Sequence, residues 1–144
     1  MQEYVLGFAM NPSRTRVLLL VKETPLWQRG LINGIGGKKE AQESSSQAMQ
    51  REFREETGLE TSVEQWHHFG AMGSEHFRVE LFWTTMSEAQ LSEHQSLTPE
   101  RVSLYDFSLL LSHRFHKCMP NLSWILGALL DPELEQLKLN VRYQ

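Results

Sequence analysis

Apolar and polar positions fall into blocks whose lengths and periods predict an ordered series of strands and helices. Tyr4–Met10 is an apolar, β-prone run, and Asn11, Pro12 and Ser13 interrupt it with turn-forming residues. Arg16–Lys22 (RVLLLVK) is apolar without alternation, the pattern of a strand buried on both faces. Pro25–Gly37 reads as loop, with Gly30, Gly34, Gly36 and Gly37 set among Trp27, Leu31 and Ile35. A helix is expected next. Ser44, Ser45 and Ser46 offer capping hydroxyls, Gln47 to Thr57 are all tolerated in a helix, and Gly58 suits a left-handed C-terminal stop. Ala48, Met49 and Phe53 form its apolar side, and Glu and Arg dominate the other.

Further on, Ser62–Gly70 and His76–Thr85 (HFRVELFWTT) read as strands, the second alternating around Val79, Leu81 and Trp83. Ser87–Pro99 is polar and reads as loop, and Arg101–Phe107 reads as one more strand. Asn121–Leu130 (NLSWILGALL) predicts a closing helix that starts near Asn121 and stops at Asp131 and Pro132. Strands and helices interleave without the regular alternation of a doubly wound sheet, so a mixed sheet flanked by helices, an α+β fold, is expected.

Composition narrows this picture in a few ways. A chain of 144 residues suits one domain, 1–144, with a sizeable core. The formal net charge of −4 argues against a nucleic-acid-binding surface. It would also repel a phosphorylated ligand unless a cation or a local basic patch intervened. Cys118 is the single cysteine, which excludes an intramolecular disulfide and points to a reducing cytoplasm. Glu3 stands where a signal peptide would carry basic residues, and no apolar stretch approaches a membrane span. A cytoplasmic location without membrane or nucleic-acid partners is expected, the chain being a monomer or a homodimer.

The chemistry concentrates in the predicted central helix. Arg51, Glu52, Phe53, Arg54, Glu55 and Glu56 follow one another, and residues three and four apart share a helical face. Glu52, Glu55 and Glu56 therefore converge, and unpaired carboxylates so placed raise one another's pKa. A hard divalent cation with oxygen preference, such as Mg²⁺, resolves the conflict. Alone, such a run is more often a solvated face with ordinary Arg–Glu pairs.

Its surroundings decide otherwise. Gly37, Glu43, Arg51, Glu52, Glu55, Glu56 and Gly58, with apolar Phe53 and Leu59, match every fixed position of G-x5-E-x7-R-E-U-x-E-E-x-G-U, where U is apolar. This resembles the Nudix box, and it covers about a sixth of the chain. The resemblance implies an α/β/α sandwich with a mixed β-sheet and a catalytic loop–helix–loop. It also implies hydrolysis of a nucleoside diphosphate linked to another moiety. Carried over, Glu52, Glu55 and Glu56 are the ligands of Mg²⁺ (or Mn²⁺ in its place), with the Gly36 carbonyl as an additional one. Glu43 and Arg51 support the loop and the helix. Some members take the general base from within the box and others from a glutamate in a later loop, where Glu93 and Glu100 stand. A bound metal lowers the pKa of an attacking water and supplies the positive field that the acidic chain lacks.

Substrate choice lies outside the box. Asn33, Gly34, Ile35, Gly36, Gly37 and Lys38 resemble the segment NGFGGK of animal MutT-like enzymes that hydrolyse oxidised purine nucleotides such as 8-oxo-dGTP. Asn121, ahead of the last helix, resembles the site where such enzymes read the base, and an amide suits a purine edge. Lys22 and Lys38 are further substrate-binding candidates, and Phe8, Trp27 and Trp124 are candidate stacking residues. Against this, Asn33 before Gly34 is a common turn and Asn121 a good helix cap. Ile32 replaces a frequent aromatic residue, and Leu122 replaces an acidic partner. The expected activity is release of nucleoside monophosphate and pyrophosphate from nucleoside triphosphates. Nucleotide sugars, dinucleotide polyphosphates and a non-catalytic nucleotide sensor are the alternatives. The glycine loop fails the P-loop spacing, His113 and His116 lack a third zinc ligand nearby, His67 and His68 would point apart on a strand, and Cys118 has no activating base in sequence.

Overall fold

A computed structural model describes residues 1–112 and 117–144. Among the described residues, eight strands form one mixed sheet: β1 (Gln2–Met10), β2 (Arg16–Val21), β3 (Ile32–Asn33), β4 (Ile35–Lys38), β5 (His67–Gly73), β6 (Phe77–Thr85), β7 (Arg101–Asp106) and β8 (Leu139–Arg142). Helix α1 (Ser45–Thr57) lies between β4 and β5, and α2 (Glu88–Ser92), α3 (Phe107–Leu110) and α4 (Leu122–Leu129) follow β6 and β7.

The apolar runs explain the layering. Successive strand residues point to opposite faces, so a continuously apolar strand feeds two cores at once. In β1, Leu6, Phe8 and Met10 enter a cluster with Leu122, Ile125, Leu126 and Leu129 of α4. The intervening Val5 and Ala9 join Ala48, Met49 and Phe53 of α1. β2 divides likewise, Val17 and Leu19 to the α4 side and Leu18 and Leu20 to the α1 side. The product is an α/β/α sandwich, and the alternation around Val79, Leu81 and Trp83 in β6 feeds its α4 layer.

β1 is the central strand. It runs parallel to β6 along its whole length, Gln2 opposite Phe77 through Met10 opposite Thr85. Its other edge is shared. β4 pairs antiparallel with Tyr4–Gly7, and β2 begins opposite Met10. The β1–β2 turn is organised by Asn11, whose Oδ1 accepts from the backbone N–H groups of Thr15 and Arg16, both at 2.9 Å.

Three expectations need correction. Pro25–Gly37 is not simply loop, because β3 and β4 lie in it. Their pairing partners are β2 and β1, so two short, glycine-bearing segments become strands through edges supplied from elsewhere. Ser62–Gly70 is a 3₁₀ turn (Val63–Gln65) followed by β5, which starts five residues later than expected and extends to Gly73. The segment Ser87–Pro99 contains α2, closed by a Ser87–Gln90 capping box. No helix among the described residues is long and apolar enough to cross a membrane.

Candidate active site

Helix α1 is closed at both ends by its own sequence. Ser44 accepts from the Gln47 N–H at 3.1 Å, and the Gln47 side chain accepts from the Ser44 N–H at 2.8 Å, a complete capping box. At the other end Gly58 takes φ 75° and its N–H bonds to the Arg54 carbonyl at 2.8 Å. Ala48, Met49 and Phe53 anchor the buried side, with Phe53 edge-on to Trp66 at 5.1 Å. The charged side is thereby turned toward β4 and the loop before β7.

Arg51 organises that side. Its Nε and Nη2 reach both Glu43 carboxylate oxygens at 3.0 and 2.6 Å, a bidentate pair. Nη2 also donates to the Lys38 carbonyl at 3.1 Å, and Nη1 donates to Glu52 at 3.0 Å and to Glu55 at 3.3 Å. Hydrogen bonds from Arg51 hold the Glu43 carboxyl below its ordinary range, and the Arg51 guanidinium stays protonated throughout. Gly37 leaves room here: a Cβ built on it would stand 2.7 Å from the Glu52 carboxyl carbon, so that the carboxyl would have to move.

Glu52 and Glu56 are the site carboxylates whose pKa is raised. Burial raises the Glu52 pKa above the usual range; Arg51 pulls against this, while Glu55 and Glu56 add repulsion. Burial also raises Glu56, with Glu100 and Glu55 adding to the rise, and Thr98 and Lys22 opposing it. Glu56 accepts a 2.7 Å bond from the Thr98 hydroxyl. The Glu100 N–H donates to that same hydroxyl oxygen at 3.2 Å. The Glu100 carboxylate in turn accepts from the Glu23 N–H at 2.8 Å and pairs with Lys22 Nζ at 3.3 Å. Glu93 ends α2 and is exposed, its N–H bonded within that turn to Gln90.

The structure thus gathers Lys38, Glu43, Arg51, Glu52 and Glu55 at one end of the site and Lys22, Glu56 and Glu100 at the other. Gly36 lies on β4 opposite Leu6, next to Gly37. A cleft of about 680 Å³ lined by Gln2, Lys38, Lys39, Arg51 and Glu52 opens beside the first group. Among the described residues, no three His, Cys, Asp or Glu side chains stand close enough to hold a metal ion as they are placed.

Asn33 is not a turn residue, and Asn121 stands at the N-cap position of α4 without using its side chain as a cap. Asn33 is in β3 opposite Leu20, not in a turn. Asn121 has φ −69° and ψ −21°, its carbonyl accepts from the Ile125 N–H at 3.3 Å, and its side chain makes no capping bond; Nδ2 instead reaches the Met72 sulfur at 3.4 Å. Their Oδ1 atoms are the two buried side-chain polar atoms, among the described residues, that have no hydrogen-bond partner. A parallel bridge between Ile32 and Cys118 brings their segments side by side.

The stacking candidates separate. Phe8 is fully buried, edge-on to Phe69 at 6.3 Å, and offers no face to a ligand, which corrects that expectation. Trp124 packs at the margin of the α4 core, and Trp27 is 70% exposed on a 3₁₀ turn. His67 stacks on Trp83 at 4.3 Å while His68 bonds Glu80, so the pair do point apart. Burial pushes the Cys118 thiol up, and His113 and His116 lie outside the described residues. Sequence reasoning missed Thr98: it lies 42 residues from Glu56, and nothing local marks it.

The fold is thus a sandwich carrying a loop–helix–loop whose helix bears Glu52, Glu55 and Glu56. The NUDIX domain model matches residues 2–105, and the chain belongs to the Nudix family. It is a Nudix hydrolase, acting on pyrophosphate bonds. The family acts on small nucleotide-type molecules and generally uses divalent cations. No curated protein matches the sequence. A MutT structure from a study of the Aliivibrio salmonicida and Vibrio cholerae proteins has a TM-score of 0.70 at 21% identity, covering 88% of this chain and 97% of that one. The mutator MutT protein from Bacillus halodurans also gives 0.70 at 21%, covering 100% and 91%. A MutT/Nudix family protein from Enterococcus faecalis gives 0.63 at 16%, covering 73% and 43%. These likenesses are of fold.

Proposed function

We propose that the chain is a Mg²⁺-dependent pyrophosphohydrolase of purine nucleoside triphosphates, oxidised ones such as 8-oxo-dGTP included, releasing nucleoside monophosphate and pyrophosphate. The observation that carries the purine reading is the pair of enclosed Oδ1 atoms of Asn33 and Asn121. An enclosed acceptor without a donor costs about 1–3 kcal/mol, and the N–H edge of a purine would relieve it.

The donor set suits a hard cation. Glu52 and Glu56 are carboxylates kept against burial and mutual repulsion, and Gly37 leaves room where a side chain would press on Glu52. Glu52, Glu55 and Glu56 would hold Mg²⁺ once the Glu52 and Glu55 side chains turn from Arg51 toward Glu56, with the Gly36 carbonyl contributing. Bound there, the cation would screen the polyphosphate, polarise phosphorus and lower the pKa of the attacking water. The protein does the rest. Arg51 ties Glu43, Glu52, Glu55 and the Lys38 carbonyl into one rigid end of the site. Glu100 is favoured over Glu93 as the general base, because it is held beside Glu56 through Thr98. It would accept the proton of the water whose oxygen joins phosphorus as the anhydride oxygen leaves. Lys22 and Lys38 would meet phosphate oxygens, Lys22 retaining donors beyond its pair with Glu100.

The test is hydrolysis with Mg²⁺ across canonical and oxidised nucleoside triphosphates, nucleotide sugars and dinucleotide polyphosphates. Nucleoside monophosphate and pyrophosphate from purine triphosphates support the reading. Preference for a nucleotide sugar or a dinucleotide would replace it.

A further inference from the structure

The segment between α2 and β7 is strapped to the end of α1. The last turn of a helix leaves carbonyl groups without partners inside the helix. Here two of them are satisfied from that segment: the Gln95 N–H donates to the Thr57 carbonyl at 2.8 Å, and the Leu97 N–H to the Glu56 carbonyl at 3.1 Å. The next residue in the strap is Thr98, whose side chain turns onto the Glu56 carboxylate itself.

Its hydrogen bonds have a fixed sense. A hydroxyl has one proton to give and two lone pairs. The Glu100 N–H occupies a lone pair of the Thr98 oxygen, and the Thr98 proton goes to Glu56 Oε2 at 2.7 Å. One Glu56 oxygen is thereby pinned, the other is left for a ligand, and the backbone that carries Glu100 is set in the same contact. Glu56 is 8% exposed, at the buried edge of α1.

On the reading of Glu56 as a metal ligand, we infer that Thr98 is a positioning residue that fixes the Glu56 carboxylate for cation binding and holds it in register with Glu100. Partners that orient a ligand are worth about 10–100-fold in metal affinity or activity.

The experiment compares Thr98→Val, Thr98→Ser and wild type as the full chain. Mn²⁺ alone is titrated against each protein and followed by the electron paramagnetic resonance of the free ion. kcat and nucleotide KM are then measured at saturating Mg²⁺, and melting temperature is measured without metal. Thr98→Val is expected to bind Mn²⁺ and to turn over about 10–100-fold less well. Its nucleotide KM should stay unchanged, and Thr98→Ser should restore both losses. Wild-type Mn²⁺ binding by Thr98→Val overturns the inference while leaving the metal site in place. Equal losses in the Ser and Val variants, matched by equal falls in melting temperature, assign Thr98 to the fold alone and also overturn it. A wild-type protein that binds no Mn²⁺ refutes the metal reading of Glu56 itself, and the inference falls with it. If Thr98→Val does not fold, Thr98→Ala against Thr98→Ser makes the same comparison.

Discussion

Glu56 sits where the helix, the strap before β7 and the β2 end meet, and its neighbours define what a substitution there tests. Glu56→Gln keeps the size and one acceptor for Thr98 but removes the charge. It is expected to lower kcat by orders of magnitude with the melting temperature little changed; near-normal turnover would remove Glu56 from the metal site. Asn121→Ala probes the proposed purine contact. Because the Asn121 side chain makes no capping bond, its loss should alter preference among nucleobases more than stability. A uniform loss across all substrates together with a lower melting temperature would make it a structural residue instead. The box glutamates were legible in the sequence because their spacing along one helix is their spacing in space. Thr98 was not, because its contact is made only when the strap folds back. Phe8 misled for a related reason: an aromatic side chain looks alike in a core and in a pocket until its neighbours are known.

At the scale of elements, α1 was the most readable part of the chain. Its start, stop and apolar side are all written locally, in the Ser44–Gln47 box, in Gly58 and in Ala48, Met49 and Phe53. β3, β4 and β8 carry no such signal, because two to four residues become a strand only against an edge brought from elsewhere. β5 shows the intermediate case, where the polar turn Val63–Gln65 consumed residues that propensity would allot to the strand. The local account of α1 can be checked. Ser44→Ala should lower stability by about 1 kcal/mol, the usual worth of an N-cap, seen as a drop in melting temperature. Ser46→Ala, which lies inside the helix, should be nearly neutral. Equal effects would mean that the capping box is not what starts α1.

For the whole molecule, the formal net charge of −4 sets a condition on function. An acidic protein that cleaves an anionic substrate needs positive charge at the site, and Lys22 is already paired with Glu100. Hydrolysis should therefore stop when EDTA is added and return with excess Mg²⁺, followed by product release on the same sample. Activity indifferent to the chelator would refute the metal-based chemistry as a whole.

The central place of β1 also bears on how the chain reaches this structure. Its full-length parallel partner is β6, so the middle of the sheet joins Gln2 to Phe77 and Met10 to Thr85. A contact that closes so much chain has a large entropic cost before it returns any pairing, and topologies built on such contacts fold more slowly than helical bundles of similar length. During synthesis the first strand emerges long before its partner, with only β4 and β2 to cover one edge. The other edge must wait until Thr85 has left the ribosome, and for that interval the nascent chain carries an open template for pairing with its neighbours.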